Sequence, residues 1–326
     1  MNYLQKNQRH TLLKLNKDFS KMEHIEEKLL SKIYEESLTI KNLPKDLSEE
    51  EKTFYYKWTN KSEIEEITFE GIETKFAYQK VTAFCEFSTR RVFDQNTGTL
   101  LPKEDRLNTS SVEVIFVESD NDIYAIVFSS DFYDLRRVKR LIGEHVIEPL
   151  SAIHQTDSEL FHWLFYKSIK EEVNLNEDIV LDNINGFTGT IVSEEDQFEG
   201  TSIQTAELII TKAFITNGYP ITSIKIDLQM EIGTMSFYLN EVSDGKELKI
   251  VIQKNSSINN MMNSEDVEYI IPIYVFFYLI PEVINLYKVD EGNFLSNAKN
   301  KFLSEIGLEV IKTIMAKNDI LVTDIK

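Results

Sequence analysis

Residues 269–287 form an apolar stretch as long as a short bilayer span, and any fold this chain adopts has to hide it. Pro272 and Pro281 interrupt the stretch, and Glu282 and Asn285 polarise its last third. What remains uninterrupted is too short to cross a bilayer, so a buried core segment is expected and no membrane span. The rest of the chain has the material to bury it. Of 326 residues, 42% are hydrophobic and 27% charged, the balance of a folded, soluble globular protein of one large or two ordinary domains.

The formal net charge of −19 opposes nonspecific attraction to DNA or anionic membranes over the surface as a whole. Any nucleic-acid role therefore needs a local basic patch. Cys85 is the only cysteine, which excludes an intramolecular disulfide and a cysteine zinc cluster and fits a reducing, cytoplasmic setting. It lies between Phe84 and Glu86 in an alternating stretch and reads as a strand residue rather than a nucleophile. The polar N-terminus lacks the apolar core and cleavage site of a secretory signal, so the expected mature protein starts near Met1.

Leu12, Leu15, Phe19, Met22, Ile25, Leu29 and Ile33 recur every three or four positions and predict a long N-terminal helix. Its apolar stripe would pack on the chain's own body or pair with a second copy as a short coiled coil. After Pro44, Ser48 and Glu51 make a capping-box signal for a second helix through Trp58. Beyond Ile67 the pattern turns to β-branched and aromatic runs. Strands are expected over 67–69, 75–87 and 112–128, the last folded into a hairpin at residues 119–122. Residues 93–111 read as an exposed loop.

Helices follow over 131–142 and 158–173, and residues 175–199, rich in Asn, Asp and Gly, read as a seam. A helix over 201–215 is closed by Asn217 and Gly218. Strands resume over 221–231, 234–242 and 246–253, and helices over 275–287 and 295–314 end the chain. The fold class is therefore α+β, with an N-terminal helical pair, two largely antiparallel β regions, intervening helices and C-terminal helices. The domains expected are a helical region 1–66, an α+β domain 67–175 and an α+β domain 176–326, unless these make one compact body.

The clearest candidate for chemistry is the helix over 131–142, because it is basic inside an acidic protein. At about 100° per residue, Leu135, Val138, Leu141 and Ile142 share one face, and Arg136, Arg137, Lys139 and Arg140 share the other. Four cations can neutralise phosphates while Phe132 and Tyr133 offer stacking surfaces for bases. The same face suits an acidic protein segment, or plain solvated charge paired with carboxylates.

His145, His154 and His162 lie near one another in sequence with Glu148, Asp157 and Glu159, but their spacing matches no metal motif, and no metal is expected. On the predicted strands, Asp227, Glu247 and Lys249 can be arranged to hold Mg²⁺ beside an attacking water. This Asp with Glu-x-Lys resembles the acid and lysine arrangement of the restriction-endonuclease-like superfamily. The resemblance implies metal-dependent phosphodiester cleavage with Mg²⁺ as cofactor. The topology departs from that family, since a further strand separates Asp227 from Glu247. Phosphate-binding loops, the Gly-x-Ser-x-Gly elbow and His-Glu-x-x-His are absent from the sequence.

The leading expectation is a non-catalytic component that binds nucleic acid or protein through the basic helix. The alternatives are a metal-dependent nuclease and a structural subunit of a larger or homo-oligomeric assembly. The wealth of Lys, Asn, Ile and Glu associates the chain with AT-rich bacterial or phage genomes, and so with phage-defence or mobile-element systems.

Overall fold

The structure is a computed structural model that describes residues 2–41, 43–191, 196–259 and 266–321. It divides into two compact units, Arg9–Pro149 and Leu150–Lys326, the second also holding Met1–Gln8 with β1 (Asn2–Tyr3).

The Arg9–Pro149 unit begins on β2 (Gln8–Leu15), where Leu12 and Leu13 are adjacent and both buried. Successive residues of a strand point to opposite faces, so an unbroken apolar pair marks a strand covered on both sides. The expected long helix is thus corrected. Its first turns are strand, and the chain bends where the Asn16 side chain accepts from the Asp18 N–H at 3.2 Å. Only then does α1 (Met22–Lys28) form, with Met22 and Ile25 buried as the spacing required. The next element, β3 (Ile33–Ser37), leaves Ile33 exposed.

The second expected helix shrinks as well. The Ser48 hydroxyl accepts from the Glu51 N–H at 3.3 Å, so the cap is present, but α2 (Glu49–Lys52) lasts one turn. It gives way to β4 (Thr53–Thr59), whose Phe54, Tyr56 and Trp58 are buried at a period of two. Aromatic residues at that period favour a pleated surface over a helix, and a cap does not outweigh them. Residues 1–66 are therefore not a helical domain.

The strands β5 (Glu65–Thr68), β6 (Lys75–Ser88), β7 (Leu107–Ser119) and β8 (Asp122–Val127) complete the sheet, together with β9 (Ile147–Glu148). The one-turn α3 (Lys103–Arg106) precedes β7, so the expected loop 93–111 ends early, and residues 107–111 pair with β6. The sheet is antiparallel in the order β2-β8-β7-β6-β4-β3, with β5 on β6 beside β4 and β9 on β2. On one of its faces lie α1 and α4 (Phe132–Ile142), burying Trp58, Cys85, Phe116 and Val127 beneath Ile25, Leu135 and Val138. Burying such side chains stabilises the unit by roughly 1.5–3 kcal/mol each.

In the Leu150–Lys326 unit, α5 (Ser158–Ile169) begins at Asp157, whose side chain accepts from the Leu160 N–H at 2.9 Å. The expected seam at 175–199 is instead occupied by β10 (Val180–Thr190) and the start of β11 (Gln197–Thr201), and residues 192–195 lie outside the described residues. Asn183, Asn185, Gly186 and Gly189 sit within strand rather than linker. Gly189 lets Phe214 approach, since a Cβ there would stand 2.4 Å from the Phe214 ring.

After α6 (Ile209–Thr216) come β12 (Ile221–Met230), β13 (Gly233–Asn240), β14 (Leu248–Ile252) and β15 (Ser257–Ile258). The sheet runs β11-β10-β12-β13-β14, with β15 bridging β13 and β1. The apolar stretch 269–287 lies in a helical run, α7 (Val267–Tyr274), α8 (Ile280–Asn293) and α9 (Lys299–Lys317), joined by two π-helical turns. The first π turn ends just before Pro281, which has no N–H to give the preceding turn. This run, Val267–Lys317, is long and apolar enough to cross a membrane, and 67% of its most apolar window is buried.

Candidate functional site

The site is built on α4. Asp131 caps it, accepting from the N–H groups of Tyr133 at 2.9 Å and Asp134 at 3.1 Å. Gly143 ends it with φ +104°, a value costly for any residue with a Cβ. Leu135, Val138, Leu141 and Ile142 face the core, as their spacing required.

Three contacts fix the helix's course across the sheet. Asp134 accepts from the Ser110 hydroxyl of β7 at 2.8 Å, Arg137 lies 3.6 Å above the ring of Phe87 on β6, and Arg140 pairs with Glu36 on β3. The helix therefore steps over the strands rather than along them. Beneath it runs the cross-strand row Ser110, Cys85, Tyr56 and Tyr34. Two residues further toward the strand ends, the same face presents Phe87 opposite Asn108 and Phe54 opposite Glu36.

Along that flank the helix and the strand ends line an open cavity of about 410 Å³, within the range of small-ligand sites. Tyr133, Arg136, Arg137 and Arg140 form its wall, at positions i, i+3, i+4 and i+7 of the helix. Phe54, Tyr56 and Phe87 rise from the sheet, and Arg90 stands beyond the end of β6. Lys139 is not among the lining residues, and Phe132, although 67% exposed, packs edge-on against Tyr133 at 5.4 Å outside the cavity. Of the six residues expected to bind a partner, four share one concave surface.

The arginines are of two kinds. Arg137 is 3.3 Å from the Asp134 carboxylate, and Arg140 is paired with Glu36, which also accepts from the Tyr56 hydroxyl. Burial opposes the charge of Arg140, but Glu36 beside it outweighs burial and raises its pKa. Burial and then Glu36 also raise the Tyr56 hydroxyl well above its usual range, so Tyr56 remains a donor. Arg136 and Arg90 are exposed, and their guanidinium groups have no hydrogen bond or ion pair among the described residues. The cavity thus holds two guanidinium groups fixed by counter-charges and two left open. Cys85 lies under the helix with its thiol pushed up to about 12 by burial, where it is a poor nucleophile.

Sequence reasoning missed Glu36, Tyr56, Phe87 and Arg90. Tyr56 fell inside an expected helix and Glu36 between the two expected helices, which hid their shared facing. Arg90 carried a signal of its own: all seven arginines of the chain precede residue 141, and Arg90 and Arg91 form the second adjacent pair beside Arg136 and Arg137. In a chain whose other cations are lysines, arginine marks the places where a planar, bidentate donor is used.

The remaining candidates are dispersed. His145 is exposed at the end of α4, whereas His154 and His162 belong to the other unit. There, His154 Nε2 lies 2.9 Å from the Phe276 carbonyl, and His162 Nδ1 lies 2.8 Å from the Ser158 carbonyl. Among the described residues no three His, Cys, Asp or Glu side chains gather as metal ligands.

Asp227 on β12 is opposite Ser236 and accepts from the Asn185 side chain. Glu247 stands three residues before Ile250, which is opposite Leu239, and pairs with Lys249 at 3.3 Å. The register therefore sets Asp227 and Glu247 roughly 20 Å apart along the strands. No protein-family model matches the chain, and no curated protein matches it.

Proposed function

We propose that the protein is a non-catalytic binding component whose ligand is nucleic acid, held through its phosphates at the arginine-lined cavity. The observation that carries this reading is the gathering of four of the chain's seven arginines around one cavity, two of them without a counter-charge. Like charges so placed raise each other's energy, and an oxyanion relieves that repulsion while accepting bidentate hydrogen bonds. Arg137, held over Phe87, and Arg140, held by Glu36, are pre-oriented donors, so little side-chain freedom is lost on binding. Tyr133, 55% exposed on the same wall, offers a ring to a base. A nucleic-acid ligand is compatible with a phage-defence or mobile-element role.

The test is fluorescence anisotropy with labelled DNA and RNA oligonucleotides at several salt concentrations. Charge reversal belongs at Arg136 and Arg90, whose side chains hold nothing else in place, rather than at Arg140, whose loss strands Glu36. Arg136→Glu is expected to weaken binding by about tenfold or more, the worth of a charged hydrogen bond, with an unchanged melting temperature. Equal binding by the variant, or no binding by the parent, rejects the reading.

A further inference from the structure

A second cavity, of about 450 Å³, opens at the other end of the same helix. It is lined by Lys32, Ile33 and Tyr34 at the start of β3 and by Arg140 through His145 at the end of α4. Arg140 lines both cavities, so the two are neighbours along the flank of α4, with one guanidinium between them. Lys32 is exposed and its ammonium group has no hydrogen bond or ion pair among the described residues, and His145 is exposed beside it, against the single carboxylate of Glu144. The positive lining therefore continues past the first cavity: Arg90, Arg136 and Arg137, then Arg140, then Lys32.

From this continuity we infer that the ligand is a single-stranded nucleic acid lying along α4 from the Arg90 end to Lys32, with an unpaired nucleotide in each cavity. The inference rests on the nucleic-acid reading above. The helical span from residue 133 to residue 142 is about 14 Å at 1.5 Å per residue, and the lining carries the path on to Arg90 at one end and Lys32 at the other, room for roughly four nucleotides, the lower end of the site sizes of single-strand grooves. Two open cavities set into one flank admit nucleotides that are free to turn out of a stack, which those of a duplex are not. Tyr133 in the first cavity and Tyr34 in the second supply a ring at each end.

The experiment measures anisotropy of thymidine oligonucleotides of one, two, four and eight residues and of a long duplex, with the parent, Arg136→Glu and Lys32→Glu. Affinity is expected to rise with length to about four residues and then level off, with the duplex weaker than the eight-residue strand. Lys32→Glu should weaken the four- and eight-residue strands by about fivefold or more, and the mononucleotide by less than the longer strands. Arg136→Glu should weaken every length. Lys32→Glu without effect on the longer strands, affinity independent of length, or a preference for duplex overturns the single-strand path while the phosphate-binding reading stands. Failure of every oligonucleotide to bind, or tighter binding of an acidic peptide, overturns both.

Discussion

His10 shows how far one residue's chemistry depends on its surroundings. Its ring is fully buried in β2, edge-on to Phe128 at 4.5 Å, and burial lowers its pKa from 6.5 to about 3. The unfolded chain takes up a proton at this position below pH 6.5, whereas the folded chain does so only near pH 3. The stability is therefore complete above pH 6.5 and falls as the pH drops toward 3, by at most about 1.4 kcal/mol per pH unit from this group. Urea unfolding at pH 7, 6 and 5 should give a steeper loss for the parent than for His10→Phe, and parallel losses would show that His10 does not titrate this way. The site was legible at this scale only in part. Arg136, Arg137, Arg140 and Tyr133 could be read from helical spacing, because the cluster lies within one element. Glu36, Phe87 and Arg90 come from β3, from β6 and from beyond its end, and no local pattern ties them to the helix.

At the scale of elements, α4 was foreseen to within a residue because every local signal agrees: an Asp cap, an apolar stripe, late basic residues and a Gly stop. Those signals are testable. Asp131→Ala should cost about 1 kcal/mol, and Gly143→Ala about 1–3 kcal/mol, since φ is +104° and the new Cβ would stand 3.1 Å from the His145 ring. Chemical denaturation measures both, and an unchanged midpoint in either variant would mean that the helix end is not held as described. The N-terminal region went the other way. Leu15, Phe19, Met22, Ile25 and Leu29 do share one core, but they reach it from a strand, a turn and a short helix, while Leu12 faces the other side of its strand. A spacing of three or four residues specifies a shared destination, and several backbone routes lead to it.

At the scale of the molecule, the net charge of −19 and the arginine cluster act against each other. The body repels a polyanion at long range, and the cavities attract it over a few ångströms, so binding should depend strongly on salt. Four phosphates neutralised on a single strand give a slope of log K against log salt of about −3. Reversing both Arg90 and Arg136 should flatten that slope by about half, measured as a salt titration of the anisotropy, and an unaltered slope would place the contacts elsewhere. The sequence by itself determined the mixed α and β character, most of the strands after residue 67, the basic helix and the strand position of Cys85, all of which follow from periodicity and composition within a short window. Only the tertiary structure decided that residues 1–66 supply strands, that the seam lies near residue 150, and that four arginines from two elements meet at one cavity. The reason is physical: strand pairing and the gathering of charges are contacts between residues remote in the chain, and their energies become available only once the sheet has closed over its core.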